Sequence, residues 1–415
     1  MNNKTQPVRG THDHLPEEKT HYNYILSTAL KVAKVYGYQY METPIFEFTE
    51  VFKKSLGNFS DIVSKEMYTF RDKSDEEVTL RPEGTAGIIR AIISNGLTHQ
   101  MPFKAFYSGP MFRYERPQKG RLRQFHQIGI ELIGTLSPEA DVEVIACGHR
   151  VLEKLKIDKD SKLEINSLGN PDDRKKYKEV LLKYLKSHKN KLSIESKKRL
   201  DTNPLRILDS KDIGDIEIIE NSPKIDDCLE QNSKIIFDEV KKGLDSLNIK
   251  FVLNSNLVRG LDYYGHTTFE FTADKLGSQN AILAGGRYNN LMKDMGGPDL
   301  AGIGWAAGIE RLMILTPLCK NENKIVSVIP VESKYNEICF KLTEDLRKNF
   351  INTDISFSGN LKKRLSYANK IKSKFAIIIG EEEANKNASI IKNLNTGEQI
   401  IVKYNEISKY LIKTL

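Results

Sequence analysis

The stretch Met111–Gly134, "MFRYERPQKGRLRQFHQIGIELIG", places Arg113, Arg116, Arg121 and Arg123 within eleven residues and then alternates polar and apolar side chains. Alternation with period two is a strand signal, and the proline-to-glycine centre is a turn signal. Residues from about 104 to 134 are therefore expected to form a long hairpin with "RPQKG" at its tip. Residues of like parity share a strand face. Arg113 and Glu115 then share a face of the first strand, and Arg123, Phe125, Gln127, Gly129 and Glu131 share one of the second. Ile128, Ile130 and Leu132 fill the other. One face is core. The other is a line of guanidinium, aromatic, amide and carboxylate groups, which a merely solvated face does not need. The planar fork of Arg113 suits a phosphate, Phe125 offers a flat surface for a base, and Glu115 can accept from an exocyclic amine.

Working outward, "KTHYNYILSTALKVAKVY" (19–36) puts apolar residues three and four apart, an amphipathic helix ended by Gly37. "YQYMETPIFEF" alternates as a strand, but Pro44 belongs at an edge or a strand end. Thr85 is placed to cap a helix over "AGIIRAIISN". A further strand is expected over "LDYYGHTTFEF" (261–271), and "AGIGWAAGIERLMIL" (301–315) begins glycine-rich and becomes helical. These elements predict an α+β domain over residues 1–320, dominated by an antiparallel sheet. A lysine-rich helical insertion interrupts it at about 170–250, with Asn170 as N-cap and Pro171 as first helical residue. From 325 to 415 strands alternate with helices, which predicts an α/β domain with parallel pairing.

Composition narrows the class. Hydrophobic residues are 39% and charged residues 28% of the 415, a globular balance that excludes a disordered chain. The net charge of +8 favours an acidic partner. Cys147, Cys228, Cys319 and Cys339 form neither a C-x-x-C pair nor a disulfide framework, so reduced thiols in a cytoplasmic protein are expected. No apolar run reaches the roughly 18 residues of a membrane span, and the N-terminus lacks a signal-peptide core. No glycine is followed by lysine, so there is no P-loop, and Gly302, Gly304 and Gly308 have the wrong spacing for a dinucleotide turn. The histidines suggest no metal site: His126 has the parity of the apolar face and is read as packing, His12 and His14 as surface, and His266 receives no role.

"MFRYERPQKGRLRQF" resembles motif 2 of the class II aminoacyl-tRNA synthetases, "AGIGWAAGIERLMIL" their motif 3, and the first helix with "METPIFEF" their motif 1. "VRGTHDHLP", "LRPEGTA", "RPQKGRLRQFHQIGIE", "LVRGLDYYGHTTFEF" and "LAGGRYNNL" are similar to the histidyl-tRNA synthetase family, over essentially the whole chain. The resemblance implies ATP, L-histidine and tRNA(His) as substrates, Mg²⁺ accompanying ATP, a homodimer built around motif 1, and an anticodon-binding role for residues 325–415. It implies that Arg113 and Arg259 are the catalytic cations, with Arg259 between the substrate carboxylate and the α-phosphate. Arg113, Glu115, Phe125 and Arg311 would hold ATP; Glu83, Thr85 and Gln127 would surround the α-amino group; Glu131 and Tyr264 would bind the imidazole, with Tyr263 lining the pocket. Arg116 and Gln118, at the hairpin tip, would lie near the tRNA acceptor end. Adjacent strand residues point apart, so Tyr263 and Tyr264 can share a pocket only if a bulge near Gly260 or Gly265 intervenes.

Two other readings are a non-catalytic, synthetase-like regulatory subunit of ATP phosphoribosyltransferase and a nucleic-acid-binding module. The first is expected to lose the nucleotide arginines or the C-terminal domain, and Arg113, Arg259, Arg311 and residues 321–415 are all present. The second leaves Phe125, Glu131 and the glycines at 302–308 unexplained.

Overall fold

The hairpin consists of Phe103–Phe112 and Gln124–Ile133, paired antiparallel from Phe103 opposite Ile133 to Phe112 opposite Gln124. The computed structural model describes residues 5–57, 62–118, 120–259, 261, 263–277, 280–318 and 324–415, in two units, Met1–Cys319 and Lys320–Leu415. In the first unit the hairpin lies inside an eight-stranded sheet. Its spatial order is Gln39–Tyr40, Phe103–Phe112, Gln124–Ile133, Gly302–Gly308, Ala281–Tyr288, Gly265–Thr272, Lys162–Ser167 and Val252–Leu253. All pairings are antiparallel except at the two edges, where a two-residue strand joins in parallel.

Ile128, Ile130 and Leu132 are buried in one core cluster with Ile25, Val144 and Val151, so the apolar parity of the strand faces two long helices. The first, Pro16–Val35, starts earlier than its apolar periodicity indicates, with proline at the first turn and Glu17 and Glu18 against the positive end of the helix dipole. Gly37, at φ +84°, follows its end. The second helix is Pro138–Lys154. "YQYMETPIFEF" is not one strand. Gln39–Tyr40 joins the large sheet, and Phe46–Phe48, beyond Pro44, joins a separate three-stranded sheet with Glu77–Leu80 and Tyr68–Arg71.

Helices Pro171–Ser187, Ile194–Thr202, Ile213–Glu220 and Gln231–Ser246 form the insertion. Asn170 caps the first of them: its side chain accepts from the Asp173 amide at 2.8 Å, while Asp173 accepts from the Asn170 amide at 3.0 Å. Tyr177, Leu181 and Leu200 share a core cluster with Tyr264 and Tyr288, so the first helices of the insertion pack on the opposite side of the sheet from the two long helices, whereas Phe237, Val240 and Leu244 of Gln231–Ser246 join the core beside Val144 and Val151. In the second unit the strand order is Thr353–Ile355, Val326–Pro330, Phe375–Ile379, Ala388–Asn393 and Gln399–Lys403. The first three are parallel and the last two antiparallel, an α/β arrangement as the strand–helix alternation predicts.

One buried ion pair joins sheet to helix. Arg287 NH2 lies 2.8 Å from Asp141, Arg287 Nε donates to the same carboxylate at 2.9 Å, and the Thr267 hydroxyl donates to it at 3.0 Å. Arg287 also donates to the carbonyls of Thr135 and Ser137 at 2.8 and 3.1 Å. Removing one partner of a buried pair leaves an uncompensated charge and costs about 3–5 kcal/mol. Arg287→Ala is expected to lower the stability of the N-terminal unit by that amount in urea unfolding. A loss below about 1 kcal/mol would show that solvent reaches Asp141.

Candidate functional site

A cavity of about 1100 Å³ opens on the polar face of the large sheet, wholly within the N-terminal unit. Glu83, Thr85, Arg113, Glu115, Phe125, Gln127, Arg259, Tyr263, Tyr264 and Arg311 all line it. These residues come from six separate segments of the chain, so the fold gathers what the sequence scatters.

The hairpin supplies one wall. Arg113 Nε donates to the Pro82 carbonyl at 2.9 Å, which fixes the guanidinium, and its Cζ lies 5.3 Å from the centre of the Phe125 ring. Glu115 is 2.9 Å from Arg121. Arg123 leaves the face assigned to it by parity. The regular strand begins at Gln124, and Arg123 stacks over Tyr114 at 3.9 Å while its amide donates to the Gly10 carbonyl. Arg116 and Gln118 are exposed at the tip and do not line the cavity. Across the cavity, Arg311 follows the Gly302–Gly308 strand in the first turn of Ile309–Leu315. It donates to the carbonyls of Gly120 and Ala281 at 3.2 and 2.5 Å. Burial and the neighbouring Arg121 hold its pKa below the usual arginine range.

Arg259 pairs with Glu270 on the Gly265–Thr272 strand, and its Nε has no hydrogen-bond partner among the described residues. Glu270 went unread in "TTFEF" because alternation alone does not separate a paired carboxylate from a solvated one. Gly260 lies outside the described residues.

Deeper in, Glu131 is 1% exposed and lies beneath the lining. The Thr85 hydroxyl donates to one of its oxygens at 2.7 Å and the Tyr288 hydroxyl to the other at 2.5 Å. Gly304 stands opposite Glu131 in the ladder, where a Cβ would fall 1.9 Å from the Glu131 carboxylate, so only glycine leaves room for it. Burial pushes the Glu131 carboxyl up to about 8, opposed by the two hydroxyl donors. Thr85 does not cap the following helix as expected. The Glu83 carboxylate does, accepting from the Thr85 and Ala86 amides at 2.6 and 2.8 Å, and this frees the Thr85 hydroxyl for Glu131. Burial raises the Glu83 pKa against those hydrogen bonds. Gln127 points a buried Oε1 with no partner at the cavity.

Tyr263 and Tyr264 both line the cavity, rings 4.5 Å apart, because both precede the regular strand. The ladder slips register where Gly286 faces Thr268 and Arg287 faces Gly265, with His266 at φ 47°, so the irregularity falls next to Gly265. Tyr288, in "LAGGRYNNL", was not read as a site residue; it ends a strand with no polar alternation to single it out.

The histidine readings need correction. His126 is not mere packing: its Nδ1 is 2.8 Å from Glu310, and its amide donates to the same carboxylate at 3.0 Å. His14 is half-buried and its ring is 5.2 Å from that of His126. His12 stays exposed.

Arg113 just beyond one strand, Arg259 before another and Arg311 in the helix after a third converge with the Phe125 ring on one cavity over an antiparallel sheet, the architecture of a class II aminoacyl-tRNA synthetase. A sequence profile described as "Histidyl-tRNA synthetase" matches residues 10–312, and one described as "Anticodon binding domain" matches 325–414. The chain is 47% identical over 411 residues to the histidine–tRNA ligase of Rhodospirillum rubrum, covering 99% of each, and 46% identical over 410 residues to that of the Wolbachia of Brugia malayi, again covering 99% of each. It is similar to the crystal structure of apo histidyl-tRNA synthetase from S. aureus, with a TM-score of 0.82 and 34% identity over 98% of this chain and 100% of that one. The chain belongs to the histidyl-tRNA synthetase family.

The Glu131 titration has a sign that can be checked. An unfolded glutamate titrates at about 4.3. Between there and about 8 the folded protein holds a proton that the unfolded chain has lost, so stability falls as pH rises through that window. Glu131→Gln is expected to remove this slope. Chemical denaturation of both proteins at about pH 5 and about pH 8 tests it; parallel profiles would mean that Glu131 is already ionised in the fold.

Proposed function

We propose that this chain is a histidine–tRNA ligase that joins L-histidine to the 3′ end of tRNA(His) at the expense of ATP, working in the cavity described. The carboxylate of histidine attacks the α-phosphorus of ATP as the bond to pyrophosphate breaks, leaving histidyl-adenylate. A ribose hydroxyl of the tRNA then attacks the activated carbonyl and AMP departs. The observation that carries this reading is the convergence of Arg113, Arg259 and Arg311 on one cavity, beneath whose lining the Glu131 carboxylate is buried.

In this reading Arg113 and Arg259 meet the α-phosphate, Arg311 the γ-phosphate, Phe125 the adenine face and Glu115 its amine. Fixed cations stabilise the charge that develops on the phosphoryl group at no reorganisation cost. Glu83, Thr85 and Gln127 surround the α-amino group, and the unpartnered Oε1 of Gln127 is an acceptor suited to it. Glu131 and Tyr264 meet the imidazole, with Tyr263 beside them. A recess that hydrogen-bonds its substrate rejects analogues by about 10⁴–10⁵ without editing. Mg²⁺ accompanies ATP. Of the carboxylates on the lining, Glu115 and Glu270 are each paired with an arginine, and the phosphates themselves would carry much of the ion's coordination.

Residues 325–415 are proposed to bind the anticodon, and Arg116 and Gln118 to approach the acceptor end. A cytoplasmic location fits the free, buried Cys147, Cys228 and Cys339, and none of the described helices is long and apolar enough to cross a membrane. A homodimer is proposed from the three-stranded sheet. Phe48 and Phe70 both stand across from Val78, on the same face as Phe46, and all three rings are exposed. Exposed aromatic faces of this kind mark interfaces. Sedimentation should give twice 47.3 kDa; a fully active monomer would contradict it. The regulatory-subunit reading is less well supported. The Bacillus halodurans structure described as a regulatory subunit/histidyl-tRNA synthetase is 21% identical, a likeness of fold alone.

L-Histidine alone among the natural amino acids is expected to support ATP–pyrophosphate exchange; exchange with another, or none with histidine, overturns the reading. Arg259→His should lower the adenylation rate by about 10²–10³ with little change in KM. Near wild-type adenylation in a folded variant would remove Arg259 from the chemistry.

A further inference from the structure

At the edge of the cavity, whose lining includes Glu310, one cluster of side chains has no part in the reaction just described. His14 comes from the N-terminal segment, His126 from the Gln124–Ile133 strand and Glu310 from the helix that also carries Arg311. One ligand atom from each lies within 4.8 Å of the other two. His126 Nδ1 is 2.8 Å, and His14 Nε2 3.8 Å, from the same Glu310 oxygen. The Glu310 carboxylate is 9% exposed, and among the described residues no lysine or arginine lies within ion-pair distance of it. Lys19, the nearest candidate, instead rests its ammonium 3.4 Å over the Tyr22 ring. A buried carboxylate met by two imidazoles and one backbone amide lacks the full cation that usually accompanies it.

We propose that His14, His126 and Glu310 form a binding site for a transition-metal dication of the Zn²⁺ class, which ties the N-terminal segment to the helix bearing Arg311. Two imidazoles and one carboxylate are the donor set that such ions prefer, whereas Mg²⁺ prefers oxygen ligands alone, so this site is distinct from any ion carried by ATP. Tetrahedral ligands at about 2.0–2.1 Å from a zinc ion stand roughly 3.3 Å apart. The observed 2.8 and 3.8 Å bracket that spacing and the two imidazole ligand atoms lie within 4.8 Å of each other, so side-chain shifts on the order of an ångström accommodate the ion. The His126 amide, donating to Glu310 at 3.0 Å, orients the carboxylate, as supporting hydrogen bonds do around metal ligands. Among the described residues the His14 Nδ1 has no hydrogen-bond partner, and only Glu18, at 3.9 Å, approaches it. His12 and Glu18 form an outer group with His14, but both are exposed, and the inner group is the better site for a dehydrated ion.

The inference does not depend on the proposed activity, and its test reads metal directly. The full-length protein is titrated with Zn²⁺ against a chromophoric chelator, and with Co²⁺ to record the ligand-field spectrum, with Mg²⁺ in excess throughout. One Zn²⁺ per chain is expected, together with a Co²⁺ spectrum typical of low coordination number. His14→Gln and His126→Gln should each lower Zn²⁺ affinity by at least about tenfold, with far-UV circular dichroism unchanged. His12→Gln should leave the affinity as it was. Absence of stoichiometric binding, wild-type affinity in both variants, or displacement of Zn²⁺ by Mg²⁺ each overturns the proposal. So does loss of binding in His12→Gln with retention in His126→Gln, which would move the ion to the outer group.

Discussion

A carboxylate taken out of water must be given hydrogen bonds, and the N-terminal unit is arranged to supply them to Glu131. The Thr85 and Tyr288 hydroxyls donate to its two oxygens, and Gly304 leaves the volume that its side chain fills. Thr85 can do this because Glu83 relieves it of the helix cap. Tyr288 can do it because antiparallel pairing brings the end of its strand beside Gly302, one strand from Glu131. In the proposed reading this carboxyl, costly to ionise where it lies, is the group that tells an imidazole from other side chains.

The nucleotide side of the proposed site rests on charge instead. Arg113, Arg259 and Arg311 are each held by the protein before any anion arrives, through the Pro82 carbonyl, the Glu270 carboxylate and the Gly120 and Ala281 carbonyls respectively. Held cations lose little entropy when a polyphosphate binds, which is what a site without a glycine-rich phosphate loop requires.

The hairpin and its polar face were legible because a strand has a period of two, and period survives in sequence without knowledge of the partner. The α/β order of the second unit was legible for a similar reason. What escaped was tertiary. Arg123 leaves its face because its amide bonds the Gly10 carbonyl and its guanidinium lies over the Tyr114 ring, and no local pattern encodes the contact with Gly10. The Glu83 cap was missed because the capping group sits two residues before the helix. Tyr288 and Glu270 lie in strands buried or paired by neighbours remote in sequence. His126 was taken for packing because its partner, Glu310, is 184 positions away. The roles themselves came from the family resemblance, since spacing alone does not distinguish a purine from another flat ligand.

The central claim is that the Glu131 recess reads the histidine side chain while the arginines handle the nucleotide. Calorimetric titration of Glu131→Ala with L-histidine and, separately, with ATP tests it most directly. The account predicts that histidine binding weakens by at least about 10²-fold, as expected when a hydrogen bond to a charged or buried group is lost, while ATP binding stays near wild type. Undiminished histidine affinity in a folded Glu131→Ala protein would contradict it.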